Sequence, residues 1–557
     1  MSQKNVSNKI DRNISKKELI EKEKLIEKET SSKKGEEFEY DKIPYTSYPF
    51  HYAYPSHIRA IATLFGLNPP KLETARVLEL GSSSGENSMP FAFNYPKSEC
   101  VAIDLSKVEI KEGQKRLSTL GIKNLDLKVA NILDIDDSWG KFDYIYAHGI
   151  YSWVPKIVSE KILDISKNNL SPNGIAYVSY NIKPGWNMGM TIRDMMTFHT
   201  SNLSNVQEQI QQARAFVNFI SSILEGSNSP YAQYLKLEAL SISQKTDSYI
   251  YGEYLVEHNS QEYFKDFVAK IRKKGLEYLA DAHLASMYLY NLPPKAVEKL
   301  KDVKDLVLTE QYMDFVSNKR FRCTLMCNKD NKINRKLESK SLEKLKFTFN
   351  IVPEKSFDEI DIEDNLEVCT FYFQNNKAQK FTITNVILKA IFYVFSENLG
   401  YQLSINNIAK LAMKKIKKVQ LQDIKKELNN SLLNLIFQGY VRVCSEDPLN
   451  INNISDKPKV SYLVKNQIKH LDINSNLWVT SQLNEIVVIS HFEYHLLQYL
   501  DGKHTKKDLL DKLLKIEDVK IHKEGKEITD IKEKTNIYKE QINLSLDKFK
   551  KSSLLIS

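Results

Sequence analysis

From Arg76 to Asn181 short apolar strands alternate with helical stretches, and no other feature constrains the fold of this chain as much. RVLEL (76–80) is followed by a Gly/Ser turn and an apolar stretch to Phe93. ECVAIDL (99–105) leads into a helix over 108–120 that Gly121 closes. LDLKVANI (125–132), FDYIYAH (142–148), a helix over 159–169 and GIAYVSYN (174–181) complete the series. Short apolar strands separated by single helices predict an α/β fold, a parallel doubly wound sheet over residues 70–200.

In such sheets the chemistry sits at the carboxyl ends of the strands. The first strand runs into Glu79-Leu-Gly81-Ser-Ser-Ser-Gly85-Glu-Asn87. Its glycines permit a tight turn and close approach of backbone to a ligand. The dinucleotide fingerprint G-x-G-x-x-G is not met, because Ser83 takes the middle position and no third glycine follows. Asp104, at the end of the second strand, is placed to accept the hydroxyls of a ribose. Asn131 and Ile132, after the third, offer an amide to an adenine edge and an apolar face to its ring. Taken singly, each is an ordinary loop residue of an α/β domain. Together, at successive strand ends, they predict an adenosine-bearing cofactor. Glu79 selects among such cofactors: a carboxylate repels a pyrophosphate but suits a cationic amino group. S-adenosylmethionine carries an ammonium and no phosphate, which favours a methyltransferase over a dehydrogenase.

The remainder divides by texture. Residues 1–37 are rich in Lys, Glu, Ser and Asn and read as a mobile arm. Over 38–54, Tyr40, Tyr45, Tyr48, Phe50, Tyr52 and Tyr54 are interleaved with prolines, and the segment is expected to fold over the cofactor as a lid, with Tyr48 as a contact. A helix over 56–65 follows, with Ser56 as N-cap. The lid and the sheet form one domain, 38–200. Residues 201–335 read as mainly helical, including 261–279. Residues 336–450 read as α+β: strands, three helices and the strand YVRVC (440–444), a winged-helix-like order. Residues 451–557 form a C-terminal domain ending in a Lys-rich helical tail, read as a solvated face like the run 410–418.

Composition removes several classes. Lys+Arg 79 against Asp+Glu 70 leaves a net charge of +9 on 557 residues, too mild to demand nucleic acid. The most apolar run, 386–395, is short and carries Lys389, so no membrane span is expected. The N-terminus lacks the apolar core of a secretory signal, and five scattered cysteines suit a reducing compartment; both point to the cytoplasm. Cys323 and Cys327 have no matching His/Cys pair, so no metal site is expected. His199, His258 and His283 are isolated and read as structural.

The blocks SYPFHYAYPSHIRAIATLFGL (47–67), VLELGSSSGEN (77–87), FDYIYAHGIYSWVP (142–155) and YVSYNIKPGW (177–186) resemble bacterial methyltransferases with a Rossmann-like class I catalytic domain. YLVEHNSQEYFKDF (254–267), GLEYLADA (275–282) and QYMDFVSNKRFRCTLMC (311–327) resemble the regulatory domain attached to it. The texture is most similar to the rickettsial protein-lysine methyltransferases that act on outer membrane protein B. The resemblance implies S-adenosylmethionine as cofactor, S-adenosylhomocysteine as product, and lysine methylation of a surface or outer membrane protein before its export. It implies Glu79, Gly81, Ser82, Gly85, Asp104, Leu105, Asn131 and Ile132 as cofactor contacts, and His148 as lining the methyl-transfer channel. Ser83 and Glu86 stand where relatives often have glycine, and Gly252-Glu253-Tyr254-Leu255 where they have His-Glu-Tyr-Leu.

Methyl transfer to nitrogen needs a lone pair, which a lysine ammonium lacks. Deprotonating a lysine of pKa about 10.4 near pH 7 costs roughly 4–5 kcal/mol. A desolvating pocket lowers that cost, and aromatic faces attract both cations. His148, Tyr151, Trp153, Tyr180 and Trp186 surround the ends of the fourth and fifth strands, and Asn181 offers a carbonyl oxygen to the amine. Any one of these aromatics is as well explained by packing. Two other readings compete. An RNA methyltransferase is disfavoured by the modest charge and by Asn181-Ile-Lys-Pro184, where amino-methylating nucleic-acid enzymes show a tighter Pro-Pro-aromatic turn. A non-catalytic scaffold is disfavoured by Glu79, Asp104 and Tyr180-Asn181.

Overall fold

The structure, a computed structural model, describes residues 39–43, 47–337, 339–373, 376–445, 453–473, 477–516, 522–523, 526–527 and 530–557. The arm read over 1–37, with Pro44 and Tyr45, lies outside them. Helix α1 (Pro55–Leu64) begins on a proline rather than on a Ser56 cap. Proline at the first helical position sacrifices an N–H that would have no intrahelical partner.

Strands β1 (Arg76–Leu80), β2 (Glu99–Asp104), β3 (Leu125–Val129), β4 (Phe142–Ala147) and β5 (Leu170–Ile182) pair in parallel in the order β3-β2-β1-β4-β5. Between them run α2 (Ser88–Asn94), α3 (Lys107–Leu120) and α4 (Lys156–Asn168). Ser106 caps α3 by accepting from the Glu109 N–H, and Gly121 ends it at φ +67°. The strand order reverses at β1, whose neighbours β2 and β4 are reached in opposite directions. Open α/β sheets leave a crevice at that point, beyond the strands' carboxyl ends.

Three helices follow, α5 (Gly185–Thr200), α6 (Val206–Ile223) and α7 (Pro230–Ser243), packed around Ile192, Met196, Ile210, Val217 and Leu235. The chain then returns to the sheet. The stretch 261–279 is not one helix but β6 (Gln261–Glu262), α8 (Phe264–Lys273) and β7 (Leu276–Asp281); after α9 (Leu306–Ser317) comes β8 (Phe321–Asn328). β8 runs antiparallel to β5 and β7 antiparallel to β8, while β6 pairs with β5. The eight-stranded sheet therefore takes three strands from the region that reads as mainly helical. Strands covered on both faces are continuous apolar runs, and periodicity alone does not separate them from a buried helix.

Arg322 of β8 is fully buried. Its guanidinium donates to Glu310 Oε2 at 2.8 Å and to both carboxylate oxygens of Asp314 at 2.8 and 2.9 Å, fixing α9 to the sheet. It also lies 3.7 Å over the Phe264 ring, gripping α8.

The two sheet faces have separate cores. Leu78, Leu80, Ile103, Ile145, Tyr180 and Phe267 belong to one. Val77, Tyr144, Tyr146 and Tyr177 belong to the other, which is continuous with Phe347, Phe371 and Phe392 of the following region. There β9 (Lys346–Thr348) precedes an antiparallel sheet of β10 (Ile351–Pro353), β11 (Cys369–Phe373) and β12 (Asn376–Ile383), and is itself flanked by β13 (Leu403–Ser404) and β14 (Arg442–Cys444), beside α10 (Val386–Glu397), α11 (Ile405–Met413) and α12 (Leu421–Phe437). Lys389, inside the apolar run of α10, is buried with its Nζ donating to the carbonyls of Asp364 (2.7 Å) and Glu367 (3.3 Å).

The last region packs α13 (Tyr462–His470), the hairpin β15 (Trp478–Thr480) and β16 (Ile486–Val488), α14 (His491–Tyr499), α15 (Lys506–Leu513) and α16 (Ile531–Lys551) around its own core. The Lys-rich tail is not merely a solvated face: α16 buries Tyr538, Ile542, Leu546 and Phe549 at helical spacing, and its lysines flank that stripe or face outward. Among the described residues no helix is long and apolar enough to cross a membrane.

Candidate active site

Glu79 is the penultimate residue of β1, its side chain buried at 3% exposure on the α1 side of the sheet. Ser88 Oγ donates to Glu79 Oε2 at 2.5 Å, and Tyr146 OH lies 2.7 Å from Ser88 Oγ. Burial pushes the Glu79 carboxyl up to about 8, against the opposing pull of hydrogen bonds from Ser88 and Asn87; the Asp104 charge adds to the rise. A carboxyl so placed stays largely protonated near neutrality until a cation arrives.

The loop after Glu79 is held open by backbone chemistry. Gly81 and Gly85 sit at φ +73° and +86°, and Ser83 between them at +48°. At φ +73° any side chain on Gly81 would be strained, and its Cβ would also displace Ile150 Cδ1, 2.4 Å away. The N–H groups of Gly81 and Ser82 both donate to Ile103 O at 2.9 Å, tying the loop to β2. Ser83 and Glu86, the departures from glycine, anchor the loop to α3. Ser83 Oγ donates to Glu109 Oε2 at 3.0 Å, and Glu86 pairs with Arg116.

Asp104 closes β2. Its Oδ2 accepts from the Ser83 N–H at 2.8 Å and its Oδ1 from the Ser106 N–H at 2.9 Å. A carboxylate has about four acceptor sites, so capacity remains for hydroxyl donors. Leu105, next along, is 44% exposed, while Ile132 is buried. Asn131 is half-exposed and caps the short helical turn after β3, its Oδ1 accepting from the Leu133 N–H at 3.0 Å. Glu79, Gly81, Ser82, Gly85, Asp104, Leu105, Asn131 and Ile132 thus line one edge of the sheet as the sequence order requires.

The residues expected around the ends of β4 and β5 separate into two groups. His148 and Asn181 share the sheet face of Glu79. His148 Nδ1 is 2.7 Å from Tyr177 OH, and Phe50 stacks on the imidazole at 3.8 Å between centroids. Burial lowers the His148 pKa to about 3, so the ring is neutral and a poor base. Asn181 Nδ2 donates to Asn259 Oδ1 at 3.2 Å, and Trp186 Nε1 donates to the same oxygen at 2.9 Å. Trp153 meets Trp186 edge to face at 6.2 Å.

Tyr180 does not join them. Residues alternate across a strand, so it faces away from Asn181. It is fully buried, stacked on Phe267 at 4.0 Å and hydrogen-bonded to Thr324 Oγ1 at 3.1 Å. Tyr151 packs beside it in the same core. The Tyr48 ring lies 5.3 Å from Trp478 of β15, and Phe50 is the aromatic of the same segment that stacks on His148. Sequence reasoning missed Ser88, Asn87 and Asn259 as well, although Asn87 closes the quoted loop block and Asn259 sits inside YLVEHNSQEYFKDF.

Comparison with known proteins identifies the family of the fold. Family models match for a methyltransferase domain over residues 71–242, a predicted methyltransferase regulatory domain over 246–328, and the PKMT C-terminal winged helix domain over 456–554. The regulatory match spans β6 to β8, the strands that finish the sheet. The winged helix match lies C-terminal to 385–444, the helices and strand that carry a winged-helix-like order in the sequence. Among solved structures, PKMT2 from Rickettsia typhi is 42% identical with a TM-score of 0.85, covering 92% of this chain and 100% of that one. The same protein in complex with AdoHcy superposes with a TM-score of 0.86. A protein of Rickettsia prowazekii (strain Madrid E) is 42% identical over 520 residues, 93% of each chain.

Proposed function

We propose, for a chain that belongs to the PKMT family of S-adenosylmethionine-dependent methyltransferases, that it methylates the Nζ of lysine in a large protein substrate. The substrate class we favour is a surface or outer membrane protein, modified in the cytoplasm before export. The observation that carries the reading is one sheet edge. It holds Glu79 and Asp104 at the ends of β1 and β2, and His148 and Asn181 at the ends of β4 and β5, beneath Phe50.

The residues fit the cofactor. S-adenosylmethionine supplies an electrophilic methyl group on a sulfonium and departs as S-adenosylhomocysteine. Glu79 would hold its amino group, Asp104 its ribose hydroxyls, and Asn131, Ile132 and Leu105 its adenine. The Gly81–Gly85 turn gives the backbone room for close approach.

This chain's own residues then have to present a neutral amine in line. Neutral His148 under Phe50, and Trp186 beside Asn181 through Asn259 with Trp153 against it, would give an aromatic lining that disfavours the charged ammonium. Asn181 commits its Nδ2 to Asn259, which leaves its carbonyl oxygen as the acceptor for an amine N–H. Position supplies most of the rate in such a displacement. With its pKa lowered by burial, His148 is poorly suited to act as a general base, and no dedicated base is assigned.

The elevated Glu79 carboxyl has a pH consequence. In the free protein it carries a proton below about pH 8, and an ammonium beside it favours the ionised form. Binding below that pH must expel the proton. Cofactor affinity, measured by calorimetry, is therefore expected to strengthen up to about tenfold per pH unit from pH 6 toward 8. Glu79→Gln should bind weakly and lose this slope.

The function itself is tested by supplying labelled methyl donor with a lysine-bearing outer membrane protein fragment in one reaction and RNA in another. Label on lysine, read by peptide mass spectrometry, is the expected result. Label on RNA alone, with activity falling steeply with salt, would favour the nucleic-acid reading instead.

A further inference from the structure

The cofactor edge is closed by a residue that lies far away in sequence. The turn between β15 and β16, residues 481–485, reaches across from the C-terminal winged helix region and lands on the three segments that frame Glu79. Asn484 is fully buried at its tip and adopts φ +58°. Its Nδ2 donates to Asn87 Oδ1 at 3.0 Å and to Phe50 O at 3.3 Å. The Phe50 N–H donates to the same Asn87 oxygen at 2.7 Å. Asn87 in turn hydrogen-bonds Glu79 through its side chain. The rest of the turn repeats the pattern. His51 Nδ1 lies 3.2 Å from Leu483 O, and Asn94 Nδ2 donates to Gln482 O at 3.0 Å. Glu485 pairs with Arg442.

We propose that Asn484 is a positioning residue for cofactor binding, so that the winged helix region completes the cofactor site rather than merely adjoining it. This rests on the placement of the cofactor's amino group at Glu79. One amide fixes both the loop side chain that orients the Glu79 carboxylate and the backbone of Phe50, the ring that covers His148. An interface needing only adhesion would bury apolar groups at its centre. This one buries a string of amides that begins at Glu79 and ends at Asn484, and among the described residues the Asn484 Oδ1 has no partner.

The experiment uses the full chain with S-adenosylhomocysteine as the calorimetric probe. Asn484→Gly keeps the left-handed backbone that the turn requires and removes only the amide. It is expected to weaken binding about tenfold and to raise KM for S-adenosylmethionine by a similar factor, with kcat at saturating cofactor within about twofold of wild type. His504→Ala, which breaks the 2.9 Å contact with Asp501 in the same region, is the control and should leave the affinity unchanged. Unchanged binding in Asn484→Gly, with Glu79→Gln impaired, would overturn the inference and leave the Glu79 placement standing. Unchanged binding in both would overturn the placement and the inference with it. Equal weakening in the His504→Ala control would reduce the effect to general loosening of the region, and so overturn it too.

Discussion

Asp104→Ala should lower cofactor affinity by at least about 100-fold, enough to remove a calorimetric signal at ordinary concentrations. Two hydrogen bonds to a charged acceptor contribute about 1.5–3 kcal/mol each, and each 1.4 kcal/mol is a factor of ten. The same carboxylate also receives the Ser83 and Ser106 N–H groups, so its loss frees the loop as well as the ribose contact. Asp104→Asn keeps one carbonyl acceptor and should fall between the two. If the chain were a scaffold that never binds cofactor, neither variant would have affinity to lose.

The second large effect concerns stability. Arg322→Met should destabilise the protein by about 3–5 kcal/mol, because it leaves Glu310 and Asp314 buried without their cation, while Asp281 keeps Lys319. Urea unfolding followed by tryptophan fluorescence would measure it. Adding Glu310→Gln and Asp314→Asn to the same chain should recover part of the loss, since neutral amides tolerate burial better than unpaired carboxylates. Recovery would show that uncompensated charge, rather than lost packing over Phe264, is the cause. Arg322 lies on β8, two residues from Thr324, the partner of Tyr180, so the damage should spread toward β5 and reduce methyl transfer even where the chain stays folded.

The first five strands were legible because their ends are punctuated. Gly81, Asp104 and Gly121 mark turns whose backbone or capping chemistry leaves little choice, and an acidic residue at two successive strand ends selects the ligand class. The closing strands were not. RCTLMC (322–327) lies between other strands and between two layers, so it shows neither the alternation of a half-exposed strand nor any stop signal. Tyr180 was misplaced for a reason the sequence does contain. In a strand, 177, 179 and 181 share a face and 180 does not; once Asn181 is taken for the site, Tyr180 is excluded. Asn259 and Asn484 had no such signal. Each matters through hydrogen bonds to residues distant in the chain, and only the packed structure brings them together.

The account turns on where the cofactor sits, and the most direct measurement is a crystal structure of this chain with S-adenosylhomocysteine. The expected result has the amino group against Glu79, the ribose hydroxyls on Asp104, adenine between Leu105 and Ile132, and the sulfur facing the space between His148 and Asn181. A ligand bound elsewhere, or one whose sulfur points away from His148 and Asn181, would contradict it.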